Sequence, residues 1–157
     1  MSSLIYSCGD FINNGVSYIG TPTFTKISGT YTFTYTAYIG SYLQFQTVST
    51  SNPEMWIKYP DPINVADISK ITVTYDAPKS GWNFWIYSYI VNSSGTTLAK
   101  NETGHWSIPS GSIDKTSYII DCSSLTDEAA YLWQRWGSHQ PSGAQTAQLR
   151  LYSVIGE

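Results

Sequence analysis

Residues 81–91 are rich in aromatic side chains and apolar on both parities, and they are the part of the chain best suited to contact a ligand. One parity of this segment carries Trp82, Phe84, Ile86 and Ile90. The opposite parity carries Trp85, Tyr87, Tyr89 and Val91. Successive side chains of a β-strand point to opposite faces of the sheet, so we assign the parity with Phe84 and Ile86 to the core.

The second parity then places Trp85, Tyr87 and Tyr89 in a row on the other face. Such a row is a flat aromatic platform on which the apolar face of a sugar ring can stack, while tyrosine hydroxyls meet the sugar hydroxyls. The alternative is a strand buried on both faces beneath a long loop. Alternation leaves both interpretations open, because it shows which residues share a face but not which face is buried.

A second aromatic segment, residues 131–136, has Trp133 and Arg135 on one parity and Leu132 on the other. If Leu132 lies in the core, Trp133 and Arg135 point outward together. The indole can stack on a sugar, and the guanidinium can donate hydrogen bonds to hydroxyls or to a carboxylate. The alternative is that Arg135 only covers Trp133 through a cation–π contact.

Two further tryptophans are candidates for the same surface. Trp56 alternates with Met55 and Ile57 and extends an aromatic face. Trp106 ends the polar stretch 101–106, which is predicted as a loop, and it is either a ligand contact or an anchor folded back onto the sheet. The predicted ligand-binding residues are therefore Trp85, Tyr87, Tyr89, Trp133, Arg135, Trp56 and Trp106.

The sequence lacks the common catalytic motifs. His105 and His139 do not have the spacing of metal ligands, and neither a Gly-x-Ser-x-Gly elbow nor a glycine-rich phosphate loop occurs. The acidic residues are predicted in turns, at strand ends or in loops, Glu54 and Glu102 among the latter. We therefore expect no catalytic residues and no enzyme. A glycosidase with paired carboxylates is the alternative.

A bound metal is not required by the sequence. Asp10, Asp76 and Asp121 could contribute to a structural calcium site, but no spaced acidic loop supports one, so we expect no cofactor and name no metal ligands. Cys8 and Cys122 allow either one disulfide or two small buried residues.

The elements that would position these residues are predicted to be short β-strands joined by turns. Alternation over 31–39, a turn at Gly40-Ser41 and alternation over 42–48 predict a β-hairpin. Loops are predicted at 49–53 and 140–145, a turn at 92–95, and slight helical character at 126–130. The other predicted strands are 4–8, 16–19, 23–27, 55–59, 70–75, 83–91, 97–100, 118–121, 130–136 and 148–154.

This spacing of short strands is typical of an all-β sandwich or barrel, and we expect one domain over residues 1–157. The chain is only 12% charged and 15% aromatic, with a net charge of -3. An acidic, charge-poor chain is not typical of nucleic-acid binding, so we expect no nucleic-acid partner. No apolar run is long enough for a membrane span, and the N-terminus does not resemble a signal peptide.

Several segments together resemble the jelly-roll carbohydrate-binding modules and the related domains of phage tail proteins. Residues 4–10 are similar to the first strand of that fold, residues 61–75 to its loop and following strand, and residues 117–125, 130–136 and 149–155 to its closing strands. The resemblance implies an antiparallel two-sheet β-sandwich that binds a glycan without catalysis. It also implies an alternative, a structural or host-attachment domain of a virion that forms a homo-oligomer. Either domain would be a module of a larger extracellular or virion-surface protein.

Overall fold

The computed structural model describes residues 3–7, 23–28, 43–49, 54–59, 61–79, 83–108, 111–139 and 145–157. In these ranges the chain forms ten β-strands and one short 3-10 helix, Val65–Asp67. The strands are β1 (Ser3–Ser7), β2 (Thr23–Ser28), β3 (Leu43–Ser49), β4 (Glu54–Lys58), β5 (Lys70–Lys79), β6 (Asn83–Val91), β7 (Thr97–His105), β8 (Ile113–Asp121), β9 (Tyr131–His139) and β10 (Gln145–Gly156).

The strands form two antiparallel sheets of five strands each. Sheet A has the order β1-β10-β5-β8, with β3 pairing the first part of β10 while β1 pairs its last part. Sheet B has the order β2-β4-β9-β6-β7. The prediction of an all-β, two-sheet antiparallel sandwich is confirmed.

The connectivity is that of a jelly roll. Without β2 and β3, the two sheets read β1-β10-β5-β8 and β4-β9-β6-β7, so that nearly every successive strand lies in the opposite sheet. The exception is the hairpin between β6 and β7, which places two neighbouring aromatic and polar strands at one edge of sheet B.

Alternation determines which side chains fill the space between the sheets. In β5, Ile71, Val73 and Tyr75 are buried and the residues between them are partly exposed. In β6, Phe84 and Ile86 are fully buried, as predicted. A Trp at position 136 of β9 packs beside Phe84, with ring centroids 6.2 Å apart. The resulting core is continuous through both sheets.

A polar cluster crosses this apolar core. The Tyr59 hydroxyl donates to the side-chain oxygen of Gln134 at 2.9 Å, and the Gln134 amide donates to Ser88 and Tyr118 at 3.3 Å each. Ser88 and Tyr118 are also hydrogen-bonded to one another. Because Tyr118 lies in sheet A and the other three residues lie in or beside sheet B, the cluster ties the two sheets together.

The turn between β6 and β7 is confirmed at residues 92–95. The Asn92 side chain accepts hydrogen bonds from the backbone of Ser94 and Thr96, and Gly95 adopts φ +83. Glycine suits this left-handed position because it lacks a Cβ. The turn fixes the pairing register between β7 and β6, the strand that carries Trp85, Tyr87 and Tyr89.

Several predicted boundaries are corrected. β7, β8 and β10 are longer than expected, because their ends carry polar residues that weaken the alternation signal. Residues 126–130, which have slight helical character in sequence, contain bends and a bridge between Ala130 and Ile63. Predictions for 16–19, 31–42, 50–53, 140–144, Trp82, Cys8 and Asp10 lie outside the described residues.

Candidate functional site

The predicted ligand-binding residues come together on the side of sheet B that faces away from the core, here called the outer face of sheet B. Four adjacent strands, β4, β9, β6 and β7, contribute to this face. Residues that pair across these strands form one row, and the residues two positions along each strand form the next row. The first row is Glu54, Gly137, Trp85 and Gly104; the second is Trp56, Arg135, Tyr87 and Glu102; the third is Lys58, Trp133, Tyr89 and Lys100.

Two glycines create room for the indole rings at one end of this face. The Trp85 ring lies directly over Gly137, where a Cβ atom would overlap it. The Trp106 ring lies over Gly104, where a Cβ would approach it within 2.6 Å. The two indoles stack with centroids 5.9 Å apart and planes at 27°. As a result Trp85 is 9% exposed, whereas Trp106 is 57% exposed.

A second aromatic cluster lies at the other end of the face. The Trp56 ring contacts Tyr89 and Trp133, with centroids 5.7 and 6.1 Å away. The Lys58 ammonium lies 3.7 Å from the centre of the Trp133 ring. The cation over Trp133 is therefore Lys58, and Arg135 instead lies 6.0 Å from the Trp56 ring.

Arg135 connects the two aromatic clusters and is held by Glu54. Its Nε donates to Glu54 Oε2 across β9 and β4. This hydrogen bond to the carboxylate is the main reason why the pKa of Arg135 is raised above its ordinary value. The Arg135 side chain is 35% exposed and that of Glu54 is 16% exposed, so both remain accessible from the outer face.

Tyr89 is oriented by a carboxylate on the neighbouring strand. Its hydroxyl donates to Glu102 Oε1 at 3.0 Å, and Glu102 also lies 3.5 Å from the Lys100 ammonium. Burial first, and the bond to Glu102 second, raise the pKa of Tyr89 to about 12. The ring of Tyr89 is therefore fixed while its hydroxyl stays protonated at neutral pH.

A cleft of about 500 Å³ opens over the first two rows and the adjoining pair Asn83 and His139. Its base and walls combine aromatic rings with both hydrogen-bond donors and acceptors. The described lining residues are Glu54, Asn83, Trp85, Tyr87, Trp106, Arg135 and His139. Asn83 also accepts a hydrogen bond from the backbone N–H of Ser107 at 2.9 Å, which fixes the chain directly after Trp106.

Three lining residues, Glu54, Asn83 and His139, were missed by the sequence analysis. Each has the parity of the predicted residues on its own strand, so extending the alternation to the strand ends would have found them. The predictions that Glu54 and Glu102 lie in loops are wrong, because they belong to β4 and β7. The loop predicted over 101–105 is strand as well, and Trp106 follows directly after it.

The described residues contain no group of three or more histidine, cysteine or acidic side chains that could hold a metal ion. The oxygens of Asp76 accept hydrogen bonds from Arg150 and Tyr152, and Asp121 accepts them from Ser123. Both carboxylates are therefore engaged by neighbouring groups of the chain. Cys122 is a buried free thiol whose pKa is raised to about 11, mainly by burial.

Neither a protein-family model nor a curated protein sequence matches the chain. Solved structures match it in fold. With the glycoside hydrolase domain of Endo-D from Streptococcus pneumoniae the TM-score is 0.55 at 20% identity, over 87% of this chain and 21% of that one. With a structure described for carbohydrate-binding modules of the β-sandwich superfamily the TM-score is 0.54 at 12% identity, over 91% of this chain and 58% of that one.

The enzymatically active domain of tailspike protein 4 from bacteriophage CBA120 also gives a TM-score of 0.54, at 15% identity, over 96% of this chain and 20% of that one. The chain thus spans between about a fifth and three fifths of these three structures. At these identities the similarity establishes the shared β-sandwich fold.

Among the described residues, no helix is long and apolar enough to cross a membrane.

Proposed function

We propose that residues 1–157 form one non-catalytic carbohydrate-binding domain that holds a poly- or oligosaccharide on the outer face of sheet B. The observation that carries this proposal is the combination, on one face, of a 57% exposed Trp106, an aromatic cluster around Trp56 and a polar cleft lined by Trp106 and Arg135. Aromatic rings can stack on the apolar face of a sugar while neighbouring polar groups bond its hydroxyls.

The length of the aromatic surface favours an oligosaccharide. Trp85 and Tyr89 are four residues apart on β6, which corresponds to about 14 Å along the strand. One sugar ring cannot contact both the Trp106 end and the Trp133 end of such a surface. We expect weak binding by any single ring, because a shallow platform gains little over the cost of ordering a ligand.

A binding role agrees better with this site than hydrolysis does. A glycosidase usually needs two carboxyl groups on either side of the scissile bond. Glu54 is the one carboxylate among the described residues that line the cleft, and it already accepts a hydrogen bond from Arg135. The fold shared with carbohydrate-binding modules supports the same proposal, with the domain acting as an extracellular module of a larger protein.

Affinity electrophoresis in gels containing different polysaccharides tests the proposal. We expect at least one polysaccharide to retard the wild-type protein, and Trp106→Ala and Trp133→Ala to abolish that retardation while remaining folded by circular dichroism. Ile119→Ala is the matched control, because Ile119 is an exposed apolar residue, 50% exposed, on sheet A. Retardation that survives both tryptophan substitutions would exclude the outer face of sheet B as the binding surface.

A second candidate function is a structural or host-attachment domain of a phage tail. It is favoured by the tailspike structure, whose fold matches 96% of this chain. The aromatic face would then lie in a protein interface, where tyrosine and tryptophan are also enriched. Light scattering after size exclusion separates the two, since we expect a monomer for the glycan module and a trimer for a tail component.

A further inference from the structure

The polar part of the cleft holds one positive and one negative group that neutralise each other. Arg135 Nε donates to Glu54 Oε2, which uses one of the five N–H groups of the guanidinium and one of the two carboxylate oxygens. Among the described residues, neither the other guanidinium N–H groups nor Glu54 Oε1 has a further hydrogen-bond partner. Unused donors and an unused acceptor therefore lie side by side in the cleft.

We propose that this pair makes the cleft selective for an uncharged sugar, a selectivity that rests on the carbohydrate-binding function proposed above. A hydroxyl group both donates and accepts hydrogen bonds. Two neighbouring hydroxyls of one sugar ring can therefore bind the ion pair at the same time. One hydroxyl donates a hydrogen bond to Glu54, and the other accepts a hydrogen bond from Arg135. The ring itself would pack beside Trp106 and Tyr87, which line the same cleft.

An acidic sugar fits the same cleft poorly. The carboxylate of a uronic or sialic acid accepts hydrogen bonds but cannot donate them, so it would give Glu54 Oε1 no donor. It would also approach the negative charge of Glu54, which is 16% exposed and cannot turn freely toward solvent. Like charges this close repel, and in a partly buried site solvent screens the repulsion weakly.

Lys58 is the one charged residue of the three rows for which the described residues provide no oppositely charged partner. It lies in the third row, four residues from Glu54 along β4, or about 14 Å away. Its ammonium is seated over the Trp133 ring rather than in the cleft. Binding of an acidic ligand at this position would therefore depend on the charge of Lys58, and a Lys58→Gln variant tests that dependence.

The test uses isothermal titration calorimetry with two sets of glycans. The uncharged set is cellulose oligomers, xylan, mannan and galactan, and the acidic set is polygalacturonate, alginate and hyaluronate. The wild-type protein is compared with Glu54→Gln, which removes the negative charge and keeps an acceptor oxygen. Glu128→Gln is the matched control, because it changes the net charge equally at an exposed position outside the sheets. Chemical denaturation confirms that each variant is folded.

We expect the wild-type protein to prefer an uncharged glycan. We expect Glu54→Gln to weaken that binding by about tenfold, the usual effect of losing one hydrogen bond to a charged group. The same variant should gain salt-sensitive binding to polygalacturonate, because Arg135 becomes an unpaired cation, whereas Glu128→Gln should change neither.

If the wild-type protein prefers an acidic glycan, the proposed selectivity is wrong, whether or not Lys58→Gln abolishes that preference. The proposed carbohydrate-binding function would still hold. Unchanged preference in a folded Glu54→Gln would also overturn it. No binding to any glycan would overturn the proposed function and the selectivity together.

Discussion

The indole ring of Trp85 lies over Gly137 of the neighbouring strand. It occupies the space that the side chain of any residue other than glycine at position 137 would fill. On its other flank Trp85 pairs with Gly104, and that glycine makes room for Trp106. The two glycines therefore determine where both indoles lie, and through them the shape of the cleft.

Gly137→Ala should destabilise the protein by about 1–3 kcal/mol, because the new methyl group displaces a Trp85 ring that is 9% exposed and cannot move into solvent. Urea denaturation measures this. Gly104→Ala is the informative comparison, since the ring it displaces belongs to the exposed Trp106 and can swing outward. If both variants lose the same stability, the packing of Trp85 between Gly137 and Trp106 is not as described.

The tryptophans of this face should differ sharply in their contribution to stability. Trp85→Ala should cost about 3–5 kcal/mol, in the range of large-to-small substitutions of buried aromatic residues. Trp106→Ala should cost less than about 1 kcal/mol, because its ring is mostly in solvent already. Differential scanning calorimetry distinguishes the two, and a large loss in Trp106→Ala would mean that this ring anchors the fold.

Tyr118→Phe should destabilise the protein by about 1–3 kcal/mol, because it removes two buried hydrogen bonds, the one between the Tyr118 and Ser88 hydroxyls and the one that the Gln134 amide donates to Tyr118. Tyr118 lies in the core and not on the outer face of sheet B, so glycan affinity should stay at the wild-type value. Denaturation and titration on the same sample check both statements. An undiminished stability would show that the polar cluster does not link the sheets energetically.

Stability should fall as the pH is lowered below the ordinary histidine pKa of 6.5. Burial lowers the pKa of His105 below its ordinary value of 6.5, so the unfolded chain binds a proton that the folded protein does not. The stabilisation is complete above about pH 6.5 and is lost as the pH falls toward the folded-state pKa. His105→Gln should flatten the melting temperature over this interval. An unchanged slope would assign the pH dependence to other groups.

The sequence predicted the fold well because short alternating segments mark the strands and show which residues of β5 and β6 share a face. It also predicted that Trp56, Trp133 and Trp85 belong to exposed parities. It left open whether Trp85 is covered, since that depends on a ring stacked from the end of β7 and on a glycine in β9. Cross-strand register is a long-range property that local pattern does not contain.

The polar half of the site was missed for a related reason. Glu54 follows Asn52-Pro53, and the turn signal of those residues hid the strand that begins directly afterwards. Its partner Arg135 was found, but the ion pair between them arises only when β4 and β9 pair in their observed register. The proposed selectivity for an uncharged sugar therefore rests on the structure and not on the sequence.

The most direct test is an NMR titration of the tryptophan indole N–H signals with the polysaccharide fragment that the protein binds best. We expect the signals of Trp106, Trp133 and Trp56 to shift in proportion to bound ligand, and that of Trp136, which is 1% exposed in the core, to stay in place. Saturation without movement of the three surface signals would contradict the central claim that the outer face of sheet B binds carbohydrate.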